Sequence, residues 1–270
     1  MREETNSGPK ITVSMLVSRP VEMFRRALKS IMVSQDPDEL ILFPSPSLDW
    51  DLEEELDDLE IEVRIVQQSD ARITEGWRAR AYYPKLEPDF LMKKWKHTQD
   101  LVIRSVLEAS YEWCRMCDDD DEMFFDIRSH VSSVPDNVGI INGDFFYCDF
   151  VRSVWEKRSG TGAVGFEKGA QGSTNCFRKQ AVEEASRYWE PGPWPDYQLT
   201  FHMAKLGWIN LYVPEIFSIQ HWHGKNSSRV RSGYISWEVL RRNLEMWWGN
   251  NIPPEDVLEM ISARQLPDYV

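Results

Sequence analysis

The chain opens with an apolar run, Ile11 to Ser18 (ITVSMLVS), that is broken at Arg19-Pro20. From Val21 to Val33 the apolar residues Met23, Ala27 and Ile31, beside Phe24 and Leu28, recur at helical spacing. A continuous run followed by a period near 3.6 reads as a strand leading into a helix. Leu40 to Phe43 is a second short run, closed by Pro44-Ser45-Pro46-Ser47, and Ile61 to Val66 alternates as a third strand. Between them, Asp49 to Glu60 is acidic, with Leu52, Leu56 and Leu59 as one stripe, which predicts a solvated helix. Strand, helix, strand, helix, strand is the opening of a parallel α/β sheet.

The next stretch, Ala71 to His97, is long, basic and aromatic, with Trp77, Arg78, Arg80, Tyr82, Tyr83, Lys93, Lys94 and Trp95 interleaved. Long segments of this kind in compact domains are often functional loops. Trp95 to Ala109 carries Leu101, Val102, Ser105, Val106 and Ala109 as a helix, which delivers the chain into a strand ending at Asp118. Gly139 to Phe150 reads as one or two strands, and Val151 to Ser173, rich in glycine and charge, as a loop. Cys176 to Arg187 reads as a short helix. After Pro191-Gly192-Pro193-Trp194-Pro195, a second helix runs from Asp196 to Leu206 and stops at Gly207, a common C-terminal signal. Trp208 to Val213 and Ile216 to Gln220 are short strands, followed by His221-Trp222-His223. The tail from Ser232 predicts two amphipathic helices split by Asn251-Ile252-Pro253-Pro254. The fold class is therefore α/β, with a mixed, mainly parallel central sheet flanked by helices.

The bulk numbers narrow the class. In 270 residues, 42% hydrophobic and 28% charged content is ordinary for a globular protein. No segment approaches the ~18 apolar residues of a membrane helix, and Met1 to Lys10 carries no apolar signal core. A cytoplasmic protein without a transmembrane segment is expected. Four cysteines, at 114, 117, 148 and 176, fit reduced buried thiols in a chain of this size. Cys114 and Cys117 form a C-x-x-C, but it runs into acids that oppose a thiolate. The net charge of −13 opposes generic nucleic-acid binding. Charge is nevertheless uneven: eleven acids and no Lys or Arg lie from Asp36 to Glu60, while seven Lys or Arg face three acids from Arg72 to His97.

The chemistry concentrates at Asp118-Asp119-Asp120-Asp121-Glu122, five consecutive acids after the segment Tyr111 to Cys117. Like charges so close cost free energy unless a cation neutralises them. Oxygen-only ligands suit Mg²⁺ or Mn²⁺ and, through the ion, a phosphate-bearing substrate. A solvated acidic turn is the alternative, but in open α/β sheets ligands bind beyond the carboxyl ends of the strands, where this run sits. His221 and His223 project to one side if their segment is extended. They either ligate a metal or diphosphate, or divide into one buried and one exposed histidine.

Taken in order, ITVSMLVSRPVEMFRRALKSIMVSQ, WCRMCDDDDE, Pro195-Asp196-Tyr197 with Leu206-Gly207, and His221-Trp222-His223 resemble glycosyltransferase family 2 and the wider GT-A fold over residues 10 to 225. The resemblance implies a GT-A catalytic domain over 10–230, between a flexible N-terminus at 1–9 and a packed C-terminal helical extension at 231–270. It implies a nucleotide-diphosphate sugar donor, a carbohydrate or other hydroxyl acceptor, hexosyl or pentosyl transfer, and a Mn²⁺ or Mg²⁺ cofactor. It makes the acid run a D-x-D motif, with Asp118, Asp120 and Asp121 as metal ligands, Asp120 the direct one, and His221 and His223 beside them. Donor contacts fall to Ser18, Arg19, Ser45, Asp119 and Arg178. Asp196 is the implied base, so transfer inverts the anomeric centre, and Trp194, Tyr197 and Trp222 line the acceptor side, where aromatic faces stack on sugars.

Two departures from the family pattern are visible. No acid follows the second strand, where Phe43-Pro44-Ser45-Pro46-Ser47 stands, so the nucleotide is open. One carboxylate, Asp196, stands where two are common, and Glu190 is its substitute if the register slips. Two alternatives stay beside the leading one. The first is the same chemistry on a hydroxylated base in DNA, motivated by Arg72 to His97 and by Lys225, Arg229 and Arg231. The second is a non-catalytic binding protein with a degenerate transferase fold.

Overall fold

In the computed structural model, which describes residues 8–18, 20–46, 48–68, 88–149, 154–159, 175–189 and 195–222, the three opening strands and the first helix fold as read. β1 (Ile11–Val17) leads into α1 (Val21–Ser34), then β2 (Glu39–Pro44) and β3 (Glu62–Ile65). α1 begins directly after Pro20, whose ring fixes a φ compatible with a helix start. It ends at Gln35, whose backbone N–H still donates to Ile31.

Next come α2 (Pro88–Leu107), β4 (Trp113–Asp118), the two-residue β5 (Glu122–Met123), α3 (Arg128–Val131) and β6 (Val138–Asp149). β7 (Val154–Arg158), β8 (Asn175–Arg178), α4 (Lys179–Ser186), α5 (Pro195–Lys205) and β9 (Ile209–Trp222) complete the described chain. The strands form one sheet in the order β3-β2-β1-β4-β8-β6-β9-β5, with β7 on β6. β3, β2, β1 and β4 are parallel neighbours. β8 runs antiparallel to both β4 and β6, and β9 is parallel to β6. β6 and β9 therefore point the same way as β1 and β4. This is the mixed, mainly parallel sheet that the sequence predicts.

Side-chain alternation divides the core between the two faces. Val13, Met15, Val17, Leu40 and Leu42 pack on Phe24, Ala27, Leu28 and Ile31 of α1. Ile41, Phe43, Cys114, Met116, Ile140 and Phe177 face Leu101, Val102 and Val106 of α2, Ala181 and Ala185 of α4, and Leu199 and Met203 of α5.

Four local expectations change. Residues 52–58 form consecutive turns, with Glu55 N–H bonded to Leu52 and Leu56 N–H to Glu53. Like charges at helical spacing, Glu53 with Asp57 and Glu54 with Asp58, oppose an α-helix there. Leu52 is nonetheless buried, and Leu56 and Leu59 pack inward as the stripe predicts. Residues 175–178 are a strand rather than the start of a helix, because they fill the slot between β4 and β6 and every one is buried. α2 starts seven residues earlier than the periodicity indicates. The two strands read around Pro214-Glu215 are one, β9, with a register shift opposite Gly143 and Asp144 that leaves Pro214 and Glu215 unpaired.

Among the described residues no helix is long and apolar enough to cross a membrane. The extension expected over 231–270, and the basic residues Lys225, Arg229 and Arg231, lie outside the described residues, as does 72–87 of the basic aromatic segment.

Candidate active site

The acid run occupies the bend between β4 and β5. Asp118 closes β4 and pairs in register with Leu16 of β1, so the run leaves the sheet at the carboxyl edge of the parallel strands. Asp119, Asp120, Asp121 and Glu122 are buried, at 2%, 7%, 6% and 1% exposure, and Asp118 is the most accessible of the five. The turn is closed by Asp121 N–H donating to the Asp118 carbonyl at 3.1 Å.

Within this bend the carboxylates part ways. One oxygen from each of Asp118, Asp120 and Asp121 lies within 4.8 Å of the others. Asp119 turns away and accepts a hydrogen bond from the backbone N–H of Ser18, which fixes the end of β1 against the loop. Glu122 turns toward α1, where Arg26 Nε donates to it at 2.7 Å. From α1, too, Ser30 Oγ accepts the backbone N–H of Met123 at 2.9 Å.

His221, near the end of β9, closes the far side. Its backbone N–H donates to Asp121 Oδ1 at 3.1 Å, its Nδ1 meets the Asp120 carbonyl at 2.8 Å, and its Nε2 stands 3.2 Å from Glu122 Oε1. A carbonyl only accepts, so Nδ1 carries the hydrogen. Burial holds the imidazole below its usual pKa, against the opposing pull of Glu122.

Beneath the bend, Arg115 is fully buried on β4. It donates to Gln35 Oε1 at 2.7 Å and to the carbonyls of Phe125 and Phe217, and stacks over the Phe217 ring. Gln35 Nε2 also donates to Phe125 O at 2.6 Å. The strands on either side of the acid bend are thus tied to one another and to the end of α1.

The converged oxygens fit a hard divalent ion. Opposite ligands of an octahedral Mg²⁺ stand about 4.2 Å apart, so carboxylates of this spacing reach it by side-chain adjustment alone. The donor set is oxygen only, the chemistry that Mg²⁺ and Mn²⁺ prefer.

Other predicted residues fall at the same edge. Ser18 follows β1 and Ser45 follows β2, where Ser45 N–H donates to the Val17 carbonyl at 2.7 Å. Trp222 ends β9 opposite Asp149 of β6. α5 finishes beside the start of β6, since Ile209 N–H reaches Asn137 O at 2.8 Å and Met203 packs at Gly139. Asp196 and Tyr197 stand in the first turn of this helix, at its other end. Arg19, Trp194 and His223 lie outside the described residues.

Arg178 is not brought to the site. It pairs opposite Trp113, and Asp118 is five residues further along β4, about 17 Å at the rise of a strand. Its guanidinium is engaged by the Asp136 and Pro135 carbonyls, by Glu112 and by the Trp113 ring. The reversed direction of β8 puts it at the wrong end. His221 is brought in, but its ring is held by Asp120 O beside Glu122 and is not one of the three converging groups.

All four cysteines are buried free thiols. Burial pushes Cys114 up to about 12 and raises Cys117 well above its usual value, with Asp121 and Asp118 adding to the latter. The C-x-x-C is packing, as the sequence indicates.

No protein-family model matches the chain, and no curated protein matches it. Solved structures do. The mannosyltransferase PcManGT from Pyrobaculum calidifontis, in complex with GDP-Man and Mn2+, aligns over 96% of this chain and 69% of its own, with 12% identity and a TM-score of 0.49. S. aureus TarS 1-349 in complex with UDP aligns over 95% and 70%, with 10% identity and a TM-score of 0.48. Mouse xyloside xylosyltransferase 1 in its apo form aligns over 76% and 85%, with 10% identity and a TM-score of 0.42.

Proposed function

We propose that this protein is a metal-dependent glycosyltransferase that moves a sugar from a nucleotide-diphosphate sugar to an acceptor hydroxyl. The observation that carries this reading is the convergence of Asp118, Asp120 and Asp121 at the carboxyl edge of the parallel strands, where open α/β sheets bind ligands. A Mn²⁺ or Mg²⁺ ion held by these three carboxylates supplies positive charge against the leaving diphosphate. Ser18 and Ser45, at the ends of β1 and β2, line the donor side together with Arg19. Asp119 serves that side through Ser18, whose backbone it holds.

Asp196, at the start of α5, takes the proton of the acceptor hydroxyl. General bases contribute about 10²–10⁴-fold in rate. Attack from the face opposite the diphosphate inverts the anomeric centre. Trp194, Tyr197 and Trp222 form the acceptor side, and His223 stands with the metal ligands. The acceptor is a carbohydrate or another hydroxyl compound.

Thermal unfolding with Mn²⁺ and a panel of nucleoside diphosphates tests this. A ligand at 100 times its Kd stabilises the native state by about 2.7 kcal/mol, so one nucleotide of the panel should raise Tm in the presence of Mn²⁺. Asp118→Ala with Asp120→Ala should abolish the rise. A panel with no effect on Tm, or a rise that survives the double substitution, refutes the proposal.

A further inference from the structure

The acid bend is held by a chain of side chains that begins on a different element. Arg26 of α1 donates to Glu122 Oε1 at 2.7 Å, and the same oxygen stands 3.2 Å from His221 Nε2. The other ring nitrogen reaches the Asp120 carbonyl at 2.8 Å, and the His221 main chain holds the Asp121 carboxylate at 3.1 Å. Arg26 and His221 are separated by most of the described sequence, yet together they grip the bend from both sides. The Arg26 side chain is 12% exposed, Glu122 1% and His221 3%, so solvent screening is weak along the chain of contacts. Met23, Ala27, Asp120 and Asp121 line the same crevice.

Two of the three converging carboxylates, Asp120 and Asp121, are the residues this chain of contacts touches. Left to themselves, close like charges move apart. With Nδ1 on the Asp120 carbonyl and its backbone N–H on Asp121, His221 resists that motion by holding the Asp120 main chain and one Asp121 oxygen in place. We infer that Arg26, Glu122 and His221 are positioning residues that keep the acid bend in its cation-binding shape, and that His221 serves the ion through Asp120 and Asp121 rather than as a ligand. The inference rests on the cation site proposed above.

The test is Mn²⁺ binding by the full chain, followed by electron paramagnetic resonance of the free ion, with urea unfolding of each variant alongside. Substitution of groups that orient metal ligands typically weakens binding by about 10–100-fold. Arg26→Gln and Glu122→Gln should each weaken Mn²⁺ in that range. Their combination should cost little more than either alone, because they act in one chain of contacts. Arg26→Lys, which keeps the charge and a donor, should recover most of the affinity, and Glu122→Gln carries the test if Arg26→Gln does not fold.

Arg26→Gln and Glu122→Gln variants that fold and bind Mn²⁺ within twofold of the parent overturn the inference, as does an additive double variant. So does a directly bonded ¹⁴N coupling to Mn²⁺ that vanishes in His221→Gln. Asp120→Asn separates the two levels. If it binds Mn²⁺ as the parent does, the cation site itself is wrong; if it alone loses binding, only the positioning roles are wrong.

Discussion

Arg115 and Gln35 meet in the interior, with Nη1 2.7 Å from Oε1, and the two side chains share the Phe125 carbonyl as a common acceptor. The fully buried guanidinium is tolerated because Nη1 and Nη2 donate to main-chain and amide oxygens. Arg115→Met leaves Gln35 Oε1 without its donor, while the Phe125 and Phe217 carbonyls keep Gln35 Nε2 and the Phe124 N–H. An unsatisfied buried acceptor costs about 1–3 kcal/mol, so a loss of about that size is expected. The urea midpoint should drop accordingly, and a midpoint unchanged from the parent would contradict the role given to this network.

Gly143 sits where the strand register shifts, and a Cβ there would lie 2.1 Å from Phe217 Cδ1 and 2.6 Å from the Glu215 carbonyl. Neither neighbour yields easily, since Phe217 is itself buried and its carbonyl accepts from Phe124 and Arg115. Gly143→Ala is expected to destabilise by about 1–3 kcal/mol, the usual range for overpacking. Calorimetry should register a lower Tm, and a neutral substitution would mean that β9 accommodates the methyl.

Glu39 supplies a pH dependence. Burial alone would raise its pKa, but hydrogen bonds from Thr12 and from the backbone and side chain of Ser110, with the charge of Arg64, hold it below the usual 4.5. A depressed folded-state value means that Glu39 stabilises the native state at pH above about 4.5. That contribution is lost as pH falls through the lowered value. Unfolding midpoints measured from pH 7 to pH 3 should fall in the acid range for the parent, and Glu39→Gln should be less stable at pH 7 with a shallower acid slope. Parallel curves would exclude Glu39 as a source of the slope.

For the proposed chemistry, Asp196→Asn should lower kcat by about 10²–10⁴-fold with KM for the donor little changed. Proton NMR of the product should show inversion at the anomeric carbon. Retention, or a variant as active as the parent, removes Asp196 from the role of base.

Much of this arrangement is legible in the linear chain because it is local. The run Ile11 to Val17, the helical spacing from Met23 to Ile31 and the position of Asp118 at a strand end follow from periodicity and breakers alone. Direction is what periodicity withholds. Cys176 to Arg178 look alike in a strand of either sense, and only pairing with β4 reveals that Arg178 points to the edge away from Asp118. In 49–60 the charge pattern alone misleads, because Glu55 reaches across to Arg25 of α1 instead of joining a helical face. The brace of Arg26, Glu122 and His221 was out of reach for another reason. Arg26 and Glu122 lie 96 residues apart, and no spacing rule connects them.

The contact between the His221 main chain and Asp121 spans 100 residues, and such distant pairings form late because loop closure must precede any gain from the contact. A partly folded chain with β1, α1, β2 and β4 assembled would hold the bend from one side alone, through Ser18, Arg26 and Ser30, with Asp121 not yet fixed by His221. Capture of an ion is thus reserved for molecules that have finished folding, so binding competence doubles as a report on nativeness.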